Sequence, residues 1–397
     1  MPFLIGGISM NDIKFIEALK QKRNACDYSQ SRLAQELQIS RQNLNEIENG
    51  KTKASKEMKH ILLHYLDYCN CTQPFILTID YLRVRFPTTD ALEIIKNVLA
   101  MKSEYFIHED YGMFGYEEQY IYGDISVNAS KDSSMGVLLE LRGMGCRNLE
   151  YVLQARGIDW YSFLSCCIDC RGVFKRIDLA VNDMGGLLDI EILRERYYAN
   201  KVWKRSRTHE AVDSGKLSGT HGDTAKTFYI GSKNSSIYFC LYEKEKEQKS
   251  KGIKTDIKNR FEIRLKNEKA GQTIEQLVFS RNPEQTIASL ILTQIDFPDY
   301  ILWDIFLDNV TTSLPFIMTP VAVNMDKTKR WLERQVMPSL LMIKEIEKKT
   351  GANYLEEIDR HTRLTEKQEL KIKQMTTDIA DMIENDTAVP QGSDGIF

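Results

Sequence analysis

Apolar positions follow two periods along this chain. Leu33, Ala34 and Leu37 make one helical stripe and Leu44 and Ile47 a second, split by a short turn at Gln38-Ile39. Ser40 is placed to cap the second helix and Gly50 to end it. From Phe75 the pattern alternates instead. Phe75–Phe86 predicts a strand with one wet face, and a helix is expected over 90–100. Val137–Arg142 predicts a second strand, followed by a helix through Gln154, and Phe174–Val181 a third, followed by a helix over 189–198. Phe228–Ile230 and Ile237–Leu241 pair as a hairpin across Gly231-Ser232, a charged helix follows, and Arg260–Leu265 is the last strand. Four segments result: helices over 12–70, an alternating region over 75–270, a mostly helical extension over 271–375 and a polar, loosely held tail over 376–397. An amphipathic helix in the extension is interrupted at Pro338. The expected fold class is α+β: an N-terminal all-α domain, a central, largely antiparallel sheet with helices on one face, and a helical C-terminal extension. No internal repeat is visible.

With 397 residues, 42% hydrophobic and 27% charged, the chain has the composition of two or three globular domains. The net charge of −3 hides an uneven distribution. Residues 201–266 hold 16 Lys or Arg against 8 Asp or Glu, whereas 376–397 hold five acids and no Lys or Arg. Eight scattered cysteines, no secretory signal and no membrane-spanning run predict a cytoplasmic protein with free thiols and no membrane insertion. Cys167 and Cys170 lack the second pair that a zinc site would need.

The strands carry the candidate chemistry. Glu140, Asp178 and Glu262 each sit inside a strand pattern, facing opposite to their apolar neighbours. On adjacent strands such acids would converge on one sheet face, and oxygen-only ligands suit a hard divalent ion, Mg²⁺ or Mn²⁺. Arg142, Arg176 and Arg264 lie two residues from these acids, hence on the same face. A wet sheet face carrying salt bridges would look the same. Tyr242 stands where the strand pattern ends and a Lys-rich helix begins, with Lys244 and Lys246 close in sequence. A phenol among lysines is the group an enzyme needs if tyrosine is to attack a DNA phosphate; Tyr238 is the fallback. His60 and His64, one helical turn apart, read as a surface pair.

Two sets of motifs carry resemblances. Ser29-Gln30, Leu33-Ala34, Ser40-Arg41-Gln42 and Ile47-Glu-Asn-Gly-Lys51 resemble the lambda-repressor-like (XRE-type) helix-turn-helix family. That resemblance implies major-groove entry from Arg41, with Arg41, Gln42 and Asn45 as DNA contacts and Gln30 bracing the backbone. A plain αα-hairpin for protein contact is the other reading. The runs 142–147, 176–183, 229–235, 242–244 and 260–264 are similar to the Rep_trans family of rolling-circle replication initiators and relaxases. With a helix-turn-helix in front, the arrangement resembles the MobT-type relaxases of Gram-positive integrative and conjugative elements. The resemblance implies a strand-specific nickase using Tyr242, helped by Lys244 and Arg142, with a divalent ion at Glu140, Asp178 and Glu262 (Asp80 a further candidate). Arg176, Lys246 and Arg264 join the DNA contacts. It also implies duplex origin DNA and the single strand at the nick as partners, together with a helicase and the coupling protein of the element. A plasmid replication initiator with the same chemistry, or a non-catalytic DNA-binding regulator, remain alternatives. Tyrosine recombinases need a His-x-x-Arg that this chain lacks.

Overall fold

The computed structural model describes residues 10–214 and 225–384. Four helices come first: α1 (Met10–Ala25), α2 (Gln30–Glu36), α3 (Arg41–Glu48) and α4 (Lys56–Cys69). There follow β1 (Phe75–Phe86), α5 (Ala91–Asn97), β2 (Ile107–Glu109), β3 (Glu118–Tyr122), β4 (Ile125–Ala129) and β5 (Val137–Arg142). Next are α6 (Met144–Ala155), α7 (Trp160–Asp169), β6 (Val173–Asp183), α8 (Ile190–Tyr198), β7 (Trp203–Lys204) and β8 (His209–Ser214). Then come β9 (Ala225–Ile230), β10 (Ile237–Tyr242), α9 (Lys244–Ser250), β11 (Asn259–Lys266), α10 (Glu268–Ser280) and α11 (Pro283–Leu292). The remainder is β12 (Ile295–Asp296), α12 (Ile301–Thr312), α13 (Asp326–Trp331), α14 (Met337–Thr350), α15 (Tyr354–His361), α16 (Glu366–Thr376) and α17 (Ile379–Met382).

Two compact units are built from this order, and neither is continuous. One comprises 1–79 with 176–317, the other 80–175 with 318–397. The segment boundaries expected at 75 and 271 therefore fall inside the first unit, where α10 packs on β11, α12 meets Phe261 of β11 and α11 packs on α12. In the first unit the sheet runs β1-β6-β11-β10-β9-β8, and the paired strands β6/β11, β11/β10, β10/β9 and β9/β8 are antiparallel. One face is apolar: Ile177, Leu179, Val181, Phe228, Phe239, Leu241, Phe261 and Ile263 are all buried. Helices cover it, as expected, with the Phe261 ring 6.1 Å from Trp303 and 5.7 Å from Phe306. The polar side chains of the same strands alternate onto the other face.

The four leading helices pack in this same unit. Ser29, Ser40 and Ser55 cap α2, α3 and α4 by accepting from backbone N–H groups at 3.0–3.1 Å. Gln38 takes φ +54° in the turn between α2 and α3. Leu33, Leu37, Leu44 and Ile47 form the helix-turn-helix core with Leu19 and Leu62, and buried Glu48 is neutralised by Arg23 at 2.7 Å.

The second unit runs β2-β3-β4-β5-β1, also antiparallel. Its chain path is β1, α5, then β2 to β5 in order; the first unit follows β6, α8, then β8 to β11. Both produce the same strand order, with the last strand beside the first. A repeat invisible in the residues is thus present as topology. In each case a Glu-x-Arg pair closes the last strand (Glu140/Arg142, Glu262/Arg264) before a residue of positive φ, Gly143 or Asn267, starts a helix. The returning segment after residue 317 is strapped to α6: Glu150 accepts from Trp160 Nε1 (2.8 Å), Arg147 (2.7 Å) and the Thr319 N–H (2.7 Å). Pro338 sits in the first turn of α14, directly after a π-helical turn at Leu332–Val336. The start of the predicted loose tail is packed instead, since Met382 is buried and the Glu384 and Lys102 N–H groups bond across to Ala100 and Met382 carbonyls. Residues 385–397, where the rest of that tail falls, lie outside the described residues.

Phe261 anchors the apolar face of the first unit. Phe261→Ala should lower stability by about 3–5 kcal/mol, read as an earlier midpoint in urea unfolding.

Candidate active site

Antiparallel register places one residue per strand side by side on the polar face of the first unit. Tyr242 pairs with Arg260, Cys240 with Glu262 and Tyr238 with Arg264 between β10 and β11. Between β11 and β6, Arg260 pairs with Asn182 and Arg264 with Asp178. Directly opposed residues share a face, so a tyrosine, two carboxylates and three arginines assemble on rigid strands.

They form a continuous network. Tyr242 Oη donates to Glu262 Oε1 at 2.7 Å. Lys244 Nζ and Arg260 Nη1 each donate to the same phenol oxygen at 3.4 Å. Arg264 holds Glu262 Oε2 with two bonds, 2.9 and 2.6 Å, and its Nε is 3.6 Å from Asp178. Arg176 grips both Asp178 oxygens at 2.8 and 2.6 Å. Arg260 Nε donates to Asn182 Oδ1 (2.7 Å), and Asn182 donates to Thr78 Oγ1 (3.0 Å). The phenol therefore points into a charged cluster and not into apolar packing. The phenol oxygen thus meets one carboxylate acceptor and two cationic donors.

Burial raises the electrostatic stakes. Asp178 is pushed up to about 6 by desolvation and by the neighbouring Glu262 charge, against the pull of Arg176 and Arg264. Burial and the Glu262 charge likewise push the Cys240 thiol up to about 12, so it is inert as a nucleophile. Asp178 and Glu262 offer oxygen donors of the kind a hard divalent ion takes. As they stand, each is clasped by an arginine, so the donor chemistry fits an ion while the present bonds occupy it.

Four sequence-predicted residues lie elsewhere. Lys246 turns to Glu243 at 2.8 Å. Glu140 and Arg142 belong to the second unit's own cluster. There Glu140 accepts from Tyr81 and from Arg83 (2.6 Å) and pairs with Arg142 at 2.6 Å. Arg142 is half-exposed and lies near the Phe114 ring. Asp80, in that unit, accepts from the Gly143 N–H through its backbone carbonyl at 2.8 Å. Tyr238 is buried beneath the Arg264 and Lys266 cations. Sequence reasoning missed Arg260, Asn182 and Thr78 as parts of the network; the period of two from Glu262 and from Asp178 was the available signal for the first two.

On the helix-turn-helix, Arg41, Gln42 and Asn45 are exposed on α3. Gln42 donates to Glu46 at 2.9 Å, and Gln30 bridges to Glu48 at 2.7 Å and to Asn45 at 3.5 Å. His60 and His64 are not a free surface pair: both contact Asp189, the N-cap of α8. Among the described residues, these three form the group whose His, Cys, Asp or Glu ligand atoms all lie within 4.8 Å of one another. All eight cysteines are unpaired thiols. No helix among the described residues is long and apolar enough to cross a membrane.

Three family models match: a replication initiation factor over residues 172–358, a rolling circle replication initiation protein N-terminal domain over 76–166, and a helix-turn-helix over 19–68. A protein of Bacillus subtilis (strain 168) described as a candidate DNA relaxase, NicK, is 30% identical over 328 residues, covering 78% of this chain and 92% of that protein. The solved structure of a rolling circle replication initiator protein from Geobacillus stearothermophilus covers 62% of this chain and 99% of its own, with a TM-score of 0.54. At 23% identity that likeness speaks to the fold alone.

Asp178 gives a pH test of the network. Its folded value of about 6 lies above the ordinary carboxylate value of about 3.9. Its contribution to stability is therefore full below the unfolded value and is lost as pH rises through the folded one. Wild-type stability should carry a falling limb between about pH 4 and pH 7 that Asp178→Asn flattens. Parallel urea-derived stability curves for the two proteins would rule this out.

Proposed function

The chain belongs to the replication initiation factor family, and from that premise we propose that it is a DNA relaxase that nicks one strand at the transfer origin of a conjugative element. The hydrogen bond from Tyr242 to Glu262, with Lys244 and Arg260 on the phenol oxygen, carries the reading. Tyr242 Oη attacks the scissile phosphorus, and its proton passes to Glu262. The bond from phosphorus to the 3′ oxygen breaks, and that oxygen takes a proton from solvent. A 5′-phosphotyrosine link and a free 3′ hydroxyl result. One phosphoester replaces another, so the strand can be rejoined by reversal. Lys244, Arg260 and Arg264 supply positive charge where the phosphoryl oxygens gather negative charge.

Asp178 and Glu262 are the residues that would hold Mg²⁺ or Mn²⁺, which polarises a phosphoryl oxygen when bound. Binding there would require Arg176 and Arg264 to release their carboxylates, and both guanidiniums could then turn toward DNA phosphates. The helix-turn-helix brings the enzyme to duplex beside the nick through Arg41, Gln42 and Asn45. A helicase and the coupling protein of the element would take up the nicked DNA in the cytoplasm. Replication initiation with the same chemistry is the second reading, favoured by the family's description and by the Geobacillus neighbour. The Bacillus relative, matched over 92% of its length, tips the choice to relaxase.

Two experiments test the reading. On supercoiled origin DNA with Mn²⁺ or Mg²⁺, Tyr242→Phe should cut formation of the protein-linked nicked circle by about 10³-fold or more while binding persists. An undiminished product would refute the assignment. Replacing Arg41 and Gln42 by Ala should weaken duplex-origin binding by about 1–3 kcal/mol per lost base contact in a gel-shift assay. Unchanged binding would remove α3 as the reader.

A further inference from the structure

Beyond the catalytic network, one cluster in the first unit has the chemistry of a metal site. His60 and His64 lie one turn apart on α4 with rings nearly parallel, 17° between planes and 5.8 Å between centroids. Asp189 caps α8, its Oδ1 accepting the Glu191 and Ile192 N–H groups at 3.0 Å each. Those bonds fix the carboxylate and leave Oδ2 to face both imidazoles: it touches His60 Nδ1 and is 3.3 Å from His64 Nε2.

Hydrogen-bond logic then defines the ligand. His64 Nδ1 contacts the Gly186 carbonyl, which can only accept, so the proton of a neutral ring sits on Nδ1. That leaves a lone pair on Nε2, aimed at an oxygen that also carries lone pairs. A positive centre is needed between them, either an extra proton or a metal ion. The supporting shell is rigid. Buried Asp183 accepts the Gly186, Leu187 and Leu188 N–H groups at 2.7–3.0 Å, which pins the loop bearing both Gly186 and Asp189. A backbone carbonyl that orients a histidine, and a carboxylate held by its second oxygen, are the usual outer shell of a protein-bound metal.

The surroundings leave room and limit repulsion. A cavity of about 690 Å³ opens beside His60 and His64, lined also by Lys53, Lys56 and Lys59. Lys56 is paired with Glu191 and Glu195, and Lys53 and Lys59 with Asp12. We propose that His60 Nδ1, His64 Nε2 and Asp189 Oδ2 bind one borderline transition-metal ion of the Zn²⁺ class, with solvent completing a tetrahedral shell. Two imidazoles and one carboxylate select such an ion over Mg²⁺. It clasps the last helix of the DNA-binding segment to the first helix after β6.

Metal-free full-length protein titrated with Co²⁺ tests this. Wild type should bind one ion per chain with the visible d–d bands of a four-coordinate nitrogen–oxygen site and no thiolate charge-transfer band. Excess Zn²⁺ should bleach those bands and raise the thermal midpoint. His64→Ala should lose the bands. Asp189→Asn is the second variant, because asparagine keeps the helix cap but removes the anionic ligand; it should bind at least tenfold more weakly with its helix content intact. If wild type shows no such bands, if thiolate bands dominate, or if Asp189→Asn binds as wild type does, the site is not a metal site.

Discussion

A carboxylate taken out of water has to find a cation or a donor, and that demand organises the polar faces of both sheets. Glu262, Asp178 and Glu140 are almost fully buried. Each is met by a guanidinium two residues away on its own strand, and Glu262 and Glu140 also by a tyrosine hydroxyl from the strand alongside. The pairs are not ornaments on a finished fold. Strip one arginine away and a buried carboxylate loses a close cation, at a cost of up to about 3–5 kcal/mol. The same bonds aim the Tyr242 phenol, so the features that keep the sheet folded also orient the proposed nucleophile.

Strands suit this task better than loops. Register between β10 and β11 fixes which side chains meet, and a slip of one residue would move every member to the apolar face. The apolar face, sealed by Phe261, Trp303 and Phe306, holds the register from behind. The repeated path of the second unit reproduces the architecture, down to a Glu-x-Arg pair ahead of a helix, yet surrounds its glutamate with Tyr81, Arg83 and Arg142. One scaffold thus carries two charged clusters with different surroundings.

Much of this was legible from residue patterns. Period two identifies β1, β5, β6 and the β9–β11 region, and it puts Asp178, Glu262, Arg176 and Arg264 on one face. It missed β8, whose residues His209 to Ser214 are all exposed and carry no burial signal. The short strands β2 to β4 gave too few residues for a pattern. Membership in a compact unit is a matter of long-range packing, which is why Glu140 was grouped with acids of the other unit. The repeat escaped notice because topology survives where residues diverge. His60 looked like an idle surface group because its partner, Asp189, is 129 residues away in the chain.

Each compact unit is interleaved with the other along the chain, and this has a bearing on biogenesis. The helix-turn-helix precedes the strands along the chain, but α4 touches Glu191 and Glu195 through Lys56 and Asn309 through Tyr68. Translation must pass residue 309 before that helix has all its neighbours. The helix-turn-helix and the sheet face bearing Tyr242 therefore reach their mature packing together, late in synthesis. A nascent chain halted midway would carry the helix-turn-helix residues without the partners that complete their packing.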